Sequence, residues 1–149
     1  MWPDQHGGKR VEKGVAIIAQ SSNIAINLTM NTRSTPIAYV LTTGNQEKID
    51  MADLGLAMIN DKRVTAIGMY IEGFKDIKKF EKMAFSALRS NIPIVVLKSG
   101  KTDLSKKQSF FHTASITGNT DISSAFLKRL GIVEAVSYTH LTLPTNREV

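Results

Sequence analysis

Short β-branched apolar runs alternate with amphipathic stretches along most of this chain, and that alternation limits the folds open to it. Apolar runs at residues 15–19, 37–41, 64–71, 94–97 and 132–136 have strand length, are rich in Val and Ile, and end in turn-forming or polar residues. Five strands are expected. Between them lie four helical patterns. The first spans residues 21–30, with Ser21 or Ser22 as N-cap and Ile24, Leu28 and Met30 among its apolar positions. The second, 51–59, turns Leu54, Ala57 and Met58 inward and closes at Asn60-Asp61. The third, 75–89, sets an apolar stripe of Ile77, Phe80, Met83, Ala84, Ala87 and Leu88 against a charged face. The fourth, 121–130, ends at Gly131, which suits a left-handed C-terminal position. Strands joined by helical crossovers pair in parallel, so the expected class is α/β, a doubly wound parallel sheet of about five strands with helices on both faces.

With 149 residues and 42% hydrophobic content the chain can bury one substantial core. Cysteine is absent, which excludes disulfides, thiolate catalysis and thiolate-bound zinc, and fits a cytoplasmic setting. No metal ligand set is read from the sequence. No apolar run approaches the roughly 18 residues that span a bilayer, so no membrane partner is expected. The net charge of +6 favours an anionic partner. Nucleic acid is not the expected one, because the basic residues lack interleaved stacking aromatics.

In a doubly wound sheet, ligands sit beyond the carboxyl ends of the strands. The residues placed there are Gln20-Ser21-Ser22-Asn23, Thr43-Gly44-Asn45, Glu72-Gly73 and Lys98-Ser99-Gly100. Gln20, Ser21, Ser22 and Asn23 combine polar side chains with the free N–H groups of a helix start, the ingredients of an anion site, although simple helix capping explains them equally well. Gly44 and Asn45 are turn formers that face the same crevice. Glu72 directly follows an apolar strand and is placed to hydrogen-bond an imidazole nitrogen, or merely to end the strand and cap the segment after Gly73. The imidazole is His112, in Phe111-His112-Thr113-Ala114. As a nucleophile it can carry a phosphoryl group between two sites.

Taken in order, these segments resemble the NDP-forming acyl-CoA synthetases. The resemblance rests on the run 14–22 ending in Gln20-Ser21-Ser22, on Gly44-Asn45 with Asp50 and Asp53, on Tyr70-Ile71-Glu72-Gly73, on the run 93–100 ending in Lys98-Ser99-Gly100, and on His112-Thr113-Ala114. The similar domain is the flavodoxin-like ligase domain of the succinyl-CoA synthetase alpha subunit and of ADP-forming acetyl-CoA synthetase. The resemblance implies that His112 takes a phosphoryl group from an acyl phosphate and relays it to ADP, and that the reverse direction makes acyl-CoA. It implies that Glu72 orients His112 and that Gln20, Ser21 and Ser22 bind phosphate or acyl groups. It also implies that Thr113, Gly118 and Asn119 lie around the phosphohistidine. The commoner family pattern is Ser-His-Thr-Gly; here Phe111 precedes the histidine and Ala114 follows Thr113.

The expected layout is a linker remnant over 1–13, the ligase-like domain over 14–136, and a non-native tail over 137–149 that resembles translated adapter sequence. The resemblance implies partners outside this piece: a CoA-binding domain, an ATP-grasp domain, and a small carboxylic acid or acyl-CoA. CoA and ATP or ADP with Mg2+ would be bound largely by those domains, and without them the piece is expected to be an inactive fragment of an acid–CoA ligase. The alternative is a noncatalytic acyl-CoA- or nucleotide-binding regulatory module, as in relatives fused to protein acyltransferases.

Overall fold

The computed structural model describes residues 7–30, 35–99 and 120–137. The elements run β1 (Gly14–Ala19), α1 (Ser22–Thr29), β2 (Ile37–Thr42), α2 (Met51–Ile59), β3 (Val64–Ile71), α3 (Ile77–Arg89), β4 (Ile94–Lys98), α4 (Thr120–Arg129) and β5 (Val133–Ala135). The five strands form one sheet in the order β2-β1-β3-β4-β5, and every neighbouring pair is parallel. The chain leaves β1 toward β2 on one side and returns to β3 on the other. The direction of winding therefore reverses between β1 and β3, which opens a crevice at their carboxyl ends.

Side chains along β1 alternate between two apolar layers, as the period-2 geometry of a strand requires. Ala16 and Ile18 join Ile67, Met69, Ile71 and Val96 beneath α2, α3 and α4, which contribute Met51, Ile59, Phe80, Met83 and Leu127. Ile17 joins Leu97 and Ala135 on the opposite face, where Leu28 and Ile24 of α1 cover them. Helices thus occupy both faces, as expected. Full burial of side chains such as Ile18, Ile67 and Met69 stabilises the fold by about 1.5–3 kcal/mol each.

Two expectations about helix faces need correction. In α2 the buried positions are Met51, Ala52, Gly55 and Ile59; Leu54 and Met58 are half-buried and pack against the core as expected, whereas Ala57 is exposed. Gly55 rotates the face: a Cβ there would lie 2.9 Å from Met83 Cγ, so α2 and α3 approach through the missing side chain. In α3 the buried stripe is Phe80, Met83, Ala84 and Ala87, while Ile77 is 48% and Leu88 68% exposed. The helix also starts at Ile77 rather than Lys75, because Asp76 is its N-cap and accepts from Lys79 N at 2.9 Å. Met30 lies at the exposed end of α1.

β1 gains one residue at its start, Gly14, which accommodates β2 by close backbone approach. A Cβ on Gly14 would stand 2.1 Å from the carbonyl oxygen of Pro36. Gly131 adopts φ +69, the left-handed position expected of it after α4.

Candidate functional site

The switch point between β1 and β3 is built around one dipeptide, Glu72-Gly73, whose four backbone polar groups are all taken by side chains from elsewhere. Gln20, at the end of β1, accepts through Oε1 from the amides of both Glu72 and Gly73, the latter at 3.0 Å. Lys98, at the end of β4, donates from Nζ to the Glu72 carbonyl at 2.7 Å and to the Ser99 carbonyl at 2.8 Å. Gln46, in the loop between β2 and α2, donates from Nε2 to the Gly73 carbonyl at 3.0 Å. Three loops distant in sequence therefore fix one corner, with the half-buried side chain of Glu72 projecting from it. Backbone polar groups this close to a core must find partners, and here side chains supply them all.

Gln46 needs its own support. It is buried with φ 60, a backbone conformation uncommon outside glycine. Its Oε1 accepts from Met51 N at 3.1 Å, and Lys75 Nζ donates to the carbonyls of Gln46 and, at 2.6 Å, Glu47. Asp50 and Asp53 close the same loop as a reciprocal capping box on α2, with Asp53 N to Asp50 Oδ1 at 2.9 Å and Asp50 N to Asp53 Oδ2 at 3.1 Å. Lys79 pairs with both carboxylates, at 3.0 and 2.6 Å. Their role is to hold the loop.

Lys98 is only 5% exposed. Burial pushes its ammonium below the ordinary lysine value, while attraction to Glu72 and Glu134 acts in the opposite direction.

The start of α1 lies beside this corner, since Gln20 N donates to the Tyr70 carbonyl at 3.2 Å. Ser21 occupies the N-cap position in extended conformation, and its hydroxyl makes no capping bond. The first-turn amides, those of exposed Ser22 and Asn23 among them, therefore lack intrahelical acceptors and present positive partial charge. Gln20 is 4% exposed, and among the described residues its Nε2 has no partner, nor does the buried Ser99 Oγ. Two polar side-chain atoms at the ends of β1 and β4 thus flank the β3 corner without partners.

The structure brings Gln20 and Glu72 into direct contact and sets Ser21, Ser22 and Asn23 at the adjoining helix start. Gly44 and Asn45 stand farther out: Gly44 is exposed with φ +55, and Asn45 Oδ1 accepts from Glu47 N at 3.3 Å. Asn45 lines an open groove of ≈ 380 Å³ with Thr42, Thr43, Glu47, Lys48 and Ile49. Gln46 links that loop to Gly73. His112, Thr113, Gly118 and Asn119 lie outside the described residues, as does Gly100. The sequence places Lys98 at the crevice without assigning it a task, and does not single out Gln46 or Lys75. The signal for Lys98 was its place at the end of a continuous apolar strand; Gln46 carried none.

Comparison with known proteins bears directly on this arrangement. The family profile described as "Succinyl-CoA ligase like flavodoxin domain" matches residues 12–143. The chain belongs to this family. The domain is 34% identical over 136 residues to acetate–CoA ligase (ADP-forming) II of Archaeoglobus fulgidus, a match covering 88% of the chain and 20% of that protein. It is equally 34% identical over 131 residues to the acetate–CoA ligase (ADP-forming) of Methanocaldococcus jannaschii, covering 86% of the chain and 18% of the relative. This flavodoxin domain thus spans about a fifth of the curated relatives it matches. Among solved structures it is similar to the dinucleotide forming acetyl-coenzyme A synthetase 1 of Ca. Korarchaeum cryptofilum in complex with phosphate and ADP. There the TM-score is 0.75 at 30% identity, over 87% of this chain and 28% of that one.

Among the described residues no helix is long and apolar enough to cross a membrane, and no three His, Asp or Glu side chains gather as a cation site.

Proposed function

We propose that this domain is the phosphohistidine-carrying part of a longer ADP-forming acid–CoA ligase, with His112 as nucleophile and Glu72 as the carboxylate that orients it. The observation that carries the reading is the fixed Glu72-Gly73 corner, with the uncapped start of α1 and the unpartnered Gln20 Nε2 beside it. Together they offer a carboxylate on a fixed backbone, a set of backbone donors and a buried amide donor at one switch point. Imidazole chemistry on a phosphoryl group needs that combination.

In the proposed step a ring nitrogen of His112 attacks the phosphorus of an acyl phosphate. The N–P bond forms, the P–O bond to the acyl group breaks, and the carboxylate leaves. Glu72 accepts a hydrogen bond from the other ring nitrogen, fixing the tautomer and balancing the positive charge of the phosphorylated ring. Gln20 Nε2, the Ser21 and Ser22 hydroxyls and the amides near Asn23 hold the phosphoryl oxygens, with Thr113, Gly118 and Asn119 contributing from the histidine's own segment. Gly44 and Asn45 border the acyl side. The phosphoryl group then passes to ADP on an ATP-grasp domain, and the same relay run backward activates the acid for transfer to CoA. The similar solved structure holds phosphate and ADP, which accords with this chemistry. CoA, nucleotide and Mg2+ are assigned to partner domains, a cytoplasmic ligase being the whole.

The test is to combine the full polypeptide with its partner domains, ATP and Mg2+ and to look for an acid-labile phosphoryl group. His112→Ala should abolish it; full labelling of that variant would overturn the reading.

A further inference from the structure

We infer that Lys98 is a positioning residue for Glu72: it locks the Glu72 peptide from the β4 side while Gln20 locks it from the β1 side. The inference rests on reading Glu72 as the group that orients His112.

Lysine is seldom buried, because its ammonium loses hydration unless partners replace it. Lys98 is nevertheless among the buried residues, at the end of a strand whose preceding positions, Ile94 to Leu97, are apolar. An apolar side chain would extend that pattern at no desolvation cost. What only a long cationic side chain supplies is a donor that crosses from β4 to the carbonyl of Glu72 at 2.7 Å and bridges it to the carbonyl of Ser99 at 2.8 Å.

The Glu72 N–H is meanwhile held by Gln20 Oε1. With N–H and C=O both engaged, the Glu72 peptides cannot turn, and only the side-chain torsions of Glu72 stay free. The ammonium also sits in the field of the Glu72 and Glu134 carboxylates, so its charge is not left isolated by burial. A carboxylate that must meet an imidazole within a few tenths of an ångström benefits from such a base, since a misplacement of about 1 Å can cost roughly 100-fold in rate.

The experiment compares Lys98→Met and Lys98→Arg in the full polypeptide with its partner domains, each alone and combined with Glu72→Gln. Amide hydrogen exchange at Glu72 and Gly73 is followed alongside the rate of phosphoryl transfer. Lys98→Met should speed exchange at those two amides about tenfold while leaving Ile67 and Met69 unchanged, and should lower kcat roughly 10- to 100-fold with little change in KM. It should add no further loss once Glu72 is Gln, and Lys98→Arg should recover most of the rate. Losses that add in the double variant, or unchanged exchange at Glu72 and Gly73, would overturn the assignment. If transfer proves indifferent to His112, the functional reading fails, while the exchange result still decides whether Lys98 holds the corner. Should Lys98→Met not fold, Lys98→Gln carries the same comparison, with the same two results overturning the assignment.

Discussion

Gln20 and Gly73, 53 residues apart, meet at 3.0 Å, the side-chain oxygen of one accepting from the backbone amide of the other. That oxygen also serves the amide of Glu72, so one buried side chain fixes the turn at the end of the central strand. The opposite end of the same amide group, Nε2, is buried with no partner among the described residues. One residue therefore has an engaged half and a half without a partner among the described residues.

The two halves can be separated by substitution. Gln20→Leu strands two buried donors, each worth about 1–3 kcal/mol, and should destabilise the fold by at least about 2 kcal/mol in denaturant unfolding. Gln20→Glu keeps an oxygen for both amides but replaces the unpartnered donor with a second acceptor. It should be less destabilised than Gln20→Leu yet lose phosphoryl transfer, because an anion would now meet an anion.

The capping network on α2 has a pH signature. Lys79 beside Asp53, helped by the amide of Asp50, holds the Asp53 carboxyl below the usual carboxylate range, and the two aspartates hold the Lys79 ammonium above its ordinary value. A carboxyl depressed in the folded state contributes stability that is present above its unfolded value of about 3.9 and is lost as pH falls through the folded value. Asp53→Asn should therefore be less stable than the parent at neutral pH, and the gap should close below about pH 4. A gap that is constant across that range would count against the pairing.

Two glycines make opposite predictions. Gly14→Ala would drive a methyl group against the Pro36 carbonyl, backbone that no rotamer change can relieve, and should cost about 3 kcal/mol or more. At Gly131 the space is open and only the left-handed backbone resists, so Gly131→Ala should cost about 1–2 kcal/mol. Thermal unfolding of the two variants checks the order.

The strand plan was legible because each strand is a short β-branched run between polar turns, a signal local to a few residues. β3 is found at Val64–Ile71, where its eight residues are read directly. Helix faces were less legible: α2 turns on Gly55, whose value lies in the approach of Met83 28 residues later, and a local apolar count favours Ala57 instead. At the site, Glu72 and Gln20 could be placed because they directly follow strands. Lys98 could likewise be placed at the crevice but not given a task, since its partner's carbonyl belongs to a residue 26 positions earlier. Gln46 depends on a positive φ and on Lys75, neither visible in a string of letters.

The most direct test of the account is the separation between the Glu72 carboxylate and the nearer ring nitrogen of His112 in a crystal structure of the full polypeptide with phosphate bound. The account predicts hydrogen-bond reach, about 2.6–3.2 Å. A separation of roughly 10 Å or more, with no loop able to close it to that reach, would contradict it.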